Sequence, residues 1–174
     1  RWRYNRLSVH LPIRHAPLGQ AMKIIFINHF FYPDHSATSL LLSELAFALA
    51  AAGHDITVVC TQSNYSDPHT AYPKQEVVQG VRIHRVTRPS ADRASLIHRA
   101  ASAAAFYLAA TGCVYQLADH QTLVVAKTDP PLIGVPISTA VRLRHATQIN
   151  WLQDLFPETA VALGIRPFTG MLGR

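Results

Sequence analysis

Asp154 follows the run Thr147-Gln-Ile-Asn-Trp-Leu152, where the end of a strand would carry a carboxylate to the rim of a site. A carboxylate in that position suits a general base, which takes the proton from a hydroxyl as that oxygen forms a new bond. The same aspartate would equally cap a helix starting near Pro157. Glu158, at that helix start, suits the positive end of the helix dipole as well as it suits a substrate. Asp129 precedes Pro130 and Pro131 in Thr128-Asp-Pro-Pro131, a rigid turn; turn formation and acceptor binding account for it equally. Lys127, one step earlier, is either a pyrophosphate contact or a solvated amine. His29 and His35 flank the loop after the first strand, and a lone histidine there more often holds a loop by hydrogen bonds than performs catalysis. The 10 histidines show no H-E-x-x-H or related spacing, so no metal site is expected.

Several chemistries are disfavoured by what the chain lacks. Its 8 glycines give neither G-x-G-x-x-G nor G-x-x-x-x-G-K-[ST], which argues against a nicotinamide dehydrogenase or a P-loop nucleotidase. No G-x-S-x-G elbow supports a serine hydrolase. Cys60 and Cys113 are isolated and lack C-x-x-C spacing, as expected of buried, reduced thiols in a cytosolic protein.

The elements that would position these residues read as alternating strands and helices. Lys23-Ile-Ile-Phe-Ile-Asn28, Asp55-Ile-Thr-Val-Val-Cys60 and Thr122-Leu-Val-Val-Ala-Lys127 are apolar runs of the kind seen in parallel strands covered on both faces. Residues 37–52 predict a helix, with Leu41, Leu45 and Leu49 expected in the core, closed by Gly53. The polar stretch 62–79 shows little periodicity, whereas Gly80-Val-Arg-Ile-His-Arg-Val86 alternates like a strand near a sheet edge. Residues 93–118 predict a long alanine-rich helix. Its uncharged part, 100–118, has spanning length, but its composition favours a buried core helix, with an interfacial role as the intermediate case. Residues 133–145 predict a further helix, 147–152 a strand, and 158–163 a short helix. This order implies an α/β fold: a Rossmann-like, doubly wound, mainly parallel sheet with helices on both faces. Ligands of such sheets bind at the carboxyl ends of the strands, here residues 29–38, 61–67, 127–131 and 153–158.

The chain of 174 residues is 49% apolar and 15% charged, a globular composition that makes one domain the default. Of 16 Lys and Arg, four (Arg1, Arg3, Arg6 and Arg14) precede Met22, and none of the 10 acids does. That leaves 12 bases against 10 acids and lowers the formal charge from +6 to +2. The basicity therefore belongs mainly to residues 1–21, and nucleic acid is not an expected partner. Those residues are expected to form an N-terminal extension outside the fold, or a basic arm on anionic lipid, with the domain spanning 22–174.

Four segments together resemble the family 4 glycosyltransferases of the two-domain Rossmann-like (GT-B) type, in the branch serving bacterial exopolysaccharide, colanic acid and O-antigen assembly. They are Met22-Lys-Ile-Ile-Phe-Ile-Asn-His-Phe-Phe-Tyr-Pro-Asp34; Ser36-Ala-Thr-Ser39 with Leu45-Ala-Phe-Ala-Leu-Ala-Ala-Ala-Gly-His-Asp55 and Val58; Val125-Ala-Lys-Thr-Asp-Pro-Pro-Leu132; and Asn150-Trp-Leu-Gln-Asp-Leu-Phe-Pro-Glu158. The resemblance covers about 22–168. It implies the N-terminal, acceptor-side half of an enzyme that moves a sugar from a nucleotide-sugar to a lipid-linked glycan. The nucleotide-sugar is a co-substrate, and no other cofactor is implied. The implied location is cytoplasmic, peripheral to the inner membrane face. Many members carry a Gly-Gly pair near the donor phosphates, where this chain reads Asp34-His-Ser-Ala-Thr38. His35, Ser36, Ala37 and Thr38 would instead offer backbone N–H and hydroxyl donors at a helix start, which favours anions.

The family holds its nucleotide-sugar mostly on a C-terminal domain bearing a Glu-x7-Glu motif. The three glutamates here, Glu44, Glu76 and Glu158, are never eight apart. About half of such an enzyme is thus expected to be missing, and the chain alone is expected to be inactive. Two other classes stay open: a non-catalytic α/β module of a split transferase, and a membrane-anchoring subunit using the alanine-rich helix.

Overall fold

The computed structural model describes residues 21–65, 67, 71–87 and 96–153, with 96–99 as backbone only. The expectations for residues 1–20, for the helix at 158–163, and for Asp154 and Glu158 lie outside the described residues. Nine elements follow one another: β1 (Lys23–Ile27), α1 (Ala37–Ala51), β2 (Asp55–Cys60), β3 (Gln75–Val78), β4 (Val81–Arg85), α2 (Leu96–Leu117), β5 (Thr122–Lys127), α3 (Gly134–Leu143) and β6 (Thr147–Trp151). They build one six-stranded sheet in the order β3-β4-β2-β1-β5-β6, parallel except where β3 meets β4. β1 lies at the centre, with Ile25 opposite Thr57 of β2 on one side and Val124 of β5 on the other.

The strand runs are continuous because both faces are covered. On one face, Ile24, Phe26, Ile56 and Val58 pack against Leu42 and Ala46 of α1. On the other, Ile25, Ile27 and Val124 pack against Phe106, Ala110 and Val114 of α2 and Ile137 and Ala140 of α3. The fold is therefore the α/β, Rossmann-like, mainly parallel architecture implied by the alternation, with helices on both faces.

Three local expectations need correction. In α1 the buried residues are Ser39, Leu42, Ser43 and Ala46, while Leu41 and Leu45 stay 44% and 37% exposed. The seat consists mostly of small side chains, and it lies about 100° around the helix from the expected leucine stripe. The helix 96–117 is also less buried than expected of a core helix. Phe106, Ala110, Val114 and Ala118, one row at spacing four, enter the core, but only 17% of the window Ala100–Leu117 is buried. Finally, Gln75–Val78 is an edge strand within the stretch expected to be irregular. It turns into β4 through Gln79 and Gly80, at φ 48° and 81°, the left-handed pair that two-residue hairpins favour.

Candidate functional site

β1 and β5 are sheet neighbours whose following helices, α1 and α3, lie on opposite faces. Their carboxyl ends form the switch point where ligands of doubly wound sheets sit. The loops from these strands are joined there. The His29 N–H donates to the Asp129 carbonyl at 2.7 Å, and the Thr61 N–H donates to the His29 carbonyl at 2.9 Å.

Thr38, in the first turn of α1, donates its hydroxyl to Asp129 Oδ2 at 3.0 Å. Lys127 Nζ donates to the Thr38 carbonyl at 2.6 Å and lies 4.7 Å from the centre of the Trp151 ring. Three of the expected site residues thus converge: Thr38, Lys127 and Asp129. Lys127 is 1% exposed, so the solvated alternative is excluded. Burial lowers its pKa, and the Asp129 carboxylate opposes that shift. Asp129 is half-buried, and among the described residues only Thr38 hydrogen-bonds its carboxylate, leaving Oδ1 unclaimed. Tyr107 completes the rim by donating to the Pro131 carbonyl at 2.5 Å. Its pKa is raised, first by burial and then by Asp129.

The first loop is held by Asp34, which is 4% exposed. Its Oδ1 accepts the Ser36 N–H at 2.8 Å, its Oδ2 accepts the Tyr65 N–H at 2.6 Å, and its carbonyl accepts the Ser39 hydroxyl at 3.0 Å. The start of α1 therefore already faces an internal anion, placed where the helix dipole favours one. The Ser36 N–H expected to meet a ligand is taken, while the Ser36 hydroxyl is buried without a hydrogen-bond partner among the described residues. His35 and Ala37 are exposed.

Arg85 is a second residue that sequence reasoning left out. Buried to 3% exposure at the end of β4, it pairs with Glu76 at 2.5 Å. It donates to the carbonyls of Tyr32 at 2.7 Å and Pro73 at 3.0 Å, with Tyr72 stacked 5.0 Å away. It thereby ties the first loop to the edge hairpin. The available signal was strand phase, since Arg85 falls in step with the buried Val81 and Ile83. Burial pushes the neighbouring Cys60 thiol up to about 12 despite Arg85, and burial likewise lifts Cys113 to about 11. Neither is an activated nucleophile. Among the described residues no three His, Cys, Asp or Glu side chains form a group able to hold a metal.

No protein-family model and no curated protein matches the sequence. Among solved structures, the C-terminal domain of a hydrogenase from Pyrococcus furiosus aligns with a TM-score of 0.49 and 14% identity, covering 78% of this chain and 95% of that one. At that level nothing about function passes between them.

Proposed function

We propose that this chain is the acceptor-side domain of a GT-B glycosyltransferase, which transfers a sugar from a nucleotide-sugar to a hydroxyl of a lipid-linked glycan. The observation that carries the reading is the half-buried Asp129 at the switch point, with one carboxylate oxygen tied to Thr38 and the other without a hydrogen-bond partner among the described residues. An open carboxylate oxygen accepts a sugar hydroxyl well. A phosphate would meet Asp34 and Asp129 as like charges, and the Lys127 ammonium is already turned to a carbonyl. These charges support binding of a neutral polyol here, and nucleotide-sugar binding on the separate domain that the resemblance implies.

In the transfer, the acceptor oxygen bonds to the anomeric carbon, the bond from that carbon to the nucleotide phosphate oxygen breaks, and the acceptor proton must leave. Asp154 is the candidate base for that proton in an inverting reaction; in a retaining one the departing phosphate oxygen takes it. Asp129 holds the hydroxylated acceptor, and Thr38 fixes its rotamer.

The test is calorimetric titration of the chain with a prenyl-diphosphate-linked monosaccharide. Asp129→Asn should weaken binding about tenfold or more, the value of a hydrogen bond to a charged group, while Tm stays unchanged. Equal affinity in both proteins would remove Asp129 from the site.

A further inference from the structure

Beside Asp129 the carboxyl edge of the sheet carries a row of aromatic rings. Phe30 follows His29, whose N–H donates to the Asp129 carbonyl, and the Phe30 and His29 ring centres lie 4.6 Å apart. Tyr65, from the loop after β2, stands perpendicular to Phe30 at 5.5 Å. The inner end of the row is anchored where the His29 ring meets Phe106 of the core at 4.9 Å. Tyr65 is 60% exposed, yet its backbone is fixed. Its N–H donates to the buried Asp34 carboxylate, and the adjacent Asn64 closes a turn by accepting the Asp67 N–H at 3.0 Å. A solvent-facing ring is thus held in one place, so a ligand that stacks on it loses little further entropy.

The charges beside this row select what can lie on it. Asp34 sits directly behind the Tyr65 N–H, and Asp129 lies at the His29 end. Arg85, which holds the Tyr32 carbonyl of the same loop, is already paired with Glu76. A phosphate on the row would be repelled by both carboxylates. A pyranose is neutral and turns polarised C–H bonds toward the electron-rich face of an aromatic ring. In a lipid-linked glycan the diphosphate is at the reducing end. With one sugar at Asp129, a glycan running along the row would bring its diphosphate to Asp34. With two, a neutral sugar lies there and the diphosphate passes beyond the carboxylates.

We propose that Phe30 and Tyr65 form a stacking platform for a second sugar, so that the acceptor is a lipid-linked glycan of at least two sugars. Its terminal sugar lies at Asp129. The inference rests on the acceptor reading of Asp129 and adds to it the length of the acceptor.

The experiment is calorimetric titration of the chain with a short prenyl diphosphate, bare or carrying glucose or cellobiose, and with free cellobiose. Stacking reads the C–H face that hexopyranoses share, which makes glucose a fair probe. The lipid-linked disaccharide should bind about fivefold or more tightly than the lipid-linked monosaccharide. Tyr65→Ala should remove that gain and leave the monosaccharide affinity unchanged, whereas Tyr65→Phe should keep the gain. Tm should hold in both variants, because the ring is exposed and the tie to Asp34 uses the backbone. Equal wild-type affinity for the two lipid-linked sugars, with the Asp129→Asn effect intact, would overturn the platform and spare the acceptor reading. Tyr65-dependent binding of free cellobiose that ignores Asp129→Asn would detach the platform from the acceptor site and so overturn the proposal. Tyr65-dependent binding of the bare prenyl diphosphate would overturn it too, making the row a lipid contact. Failure of both lipid-linked sugars to bind would take down the proposal and the acceptor reading together.

Discussion

Asp34→Asn is the substitution whose cost follows most directly from the geometry. The carboxylate accepts two backbone N–H groups, from Ser36 at 2.8 Å and Tyr65 at 2.6 Å, and is 4% exposed. A carboxamide has the same shape but a single acceptor oxygen. One N–H would keep a neutral partner, and the other would face an NH2 group, donor against donor. A buried hydrogen bond to a charged group contributes about 1.5–3 kcal/mol, and leaving its donor unpaired costs about 1–3 kcal/mol. The loss of a negative charge at the start of α1 adds about 0.3–1 kcal/mol. These terms overlap, so the expected loss is about 2–4 kcal/mol. It should be read as a lower urea midpoint at unchanged m-value and as a Tm drop of roughly 5–15 °C. The neighbouring exposed His35→Ala should stay within about 0.5 kcal/mol of wild type. An Asp34→Asn protein as stable as the His35→Ala control would refute the assignment of Asp34 as the internal anion that ties the two loops.

Two further perturbations probe the packing and the charges. An added Cβ at Gly134 would land on the Asn150 carboxamide, itself bonded by Gln148 at 2.9 Å. Asn150 is exposed and its carboxamide can turn away, so Gly134→Ala should cost at most about 1 kcal/mol, the value of the displaced Gln148 bond, and less in an Asn150→Ala background; an equal cost in both backgrounds would contradict the clash. Lys23 holds the Asp119 carboxyl down to about 2. The stability linked to this depressed pKa is fully present above pH about 4 and is lost as pH falls toward 2. After discounting for the partial exposure of the pair it amounts to roughly 0.5–1 kcal/mol. Lys23→Met should flatten that part of the acid unfolding curve, and an unchanged slope would contradict the pairing.

The parallel core was legible because β1, β2 and β5 are apolar on both faces, so no choice of phase was needed to recognise them. The seat of α1 was not, because hydrophobicity favours leucines whereas the sheet selected Ser39, Ser43 and Ala46 beside Leu42. β3 hid in a wet edge sequence, Gln75-Glu-Val-Val78; its signal was the Gln79-Gly80 pair ahead of an alternating run. Of the candidate site, Asp129 and Lys127 could be placed at a strand end, but not the fact that Lys127 turns inward. That follows from strand phase, since Lys127 falls in step with Leu123 and Val125, and from a carbonyl waiting 2.6 Å away. Asp34 was beyond reach because its second partner, the Tyr65 N–H, comes from 31 residues further along and only the fold brings it near.

Acceptor binding at the carboxyl ends of β1 and β5 is tested by an amide NMR titration of the chain with the prenyl-diphosphate-linked monosaccharide, run beside a nucleotide-sugar. An acceptor site there predicts shifts confined to the loops 28–38 and 128–133 with the glycan, and weak or absent shifts in them with the nucleotide-sugar. Shifts in those loops with the nucleotide-sugar alone, or glycan shifts elsewhere in the domain, would contradict an acceptor site at the junction of β1 and β5.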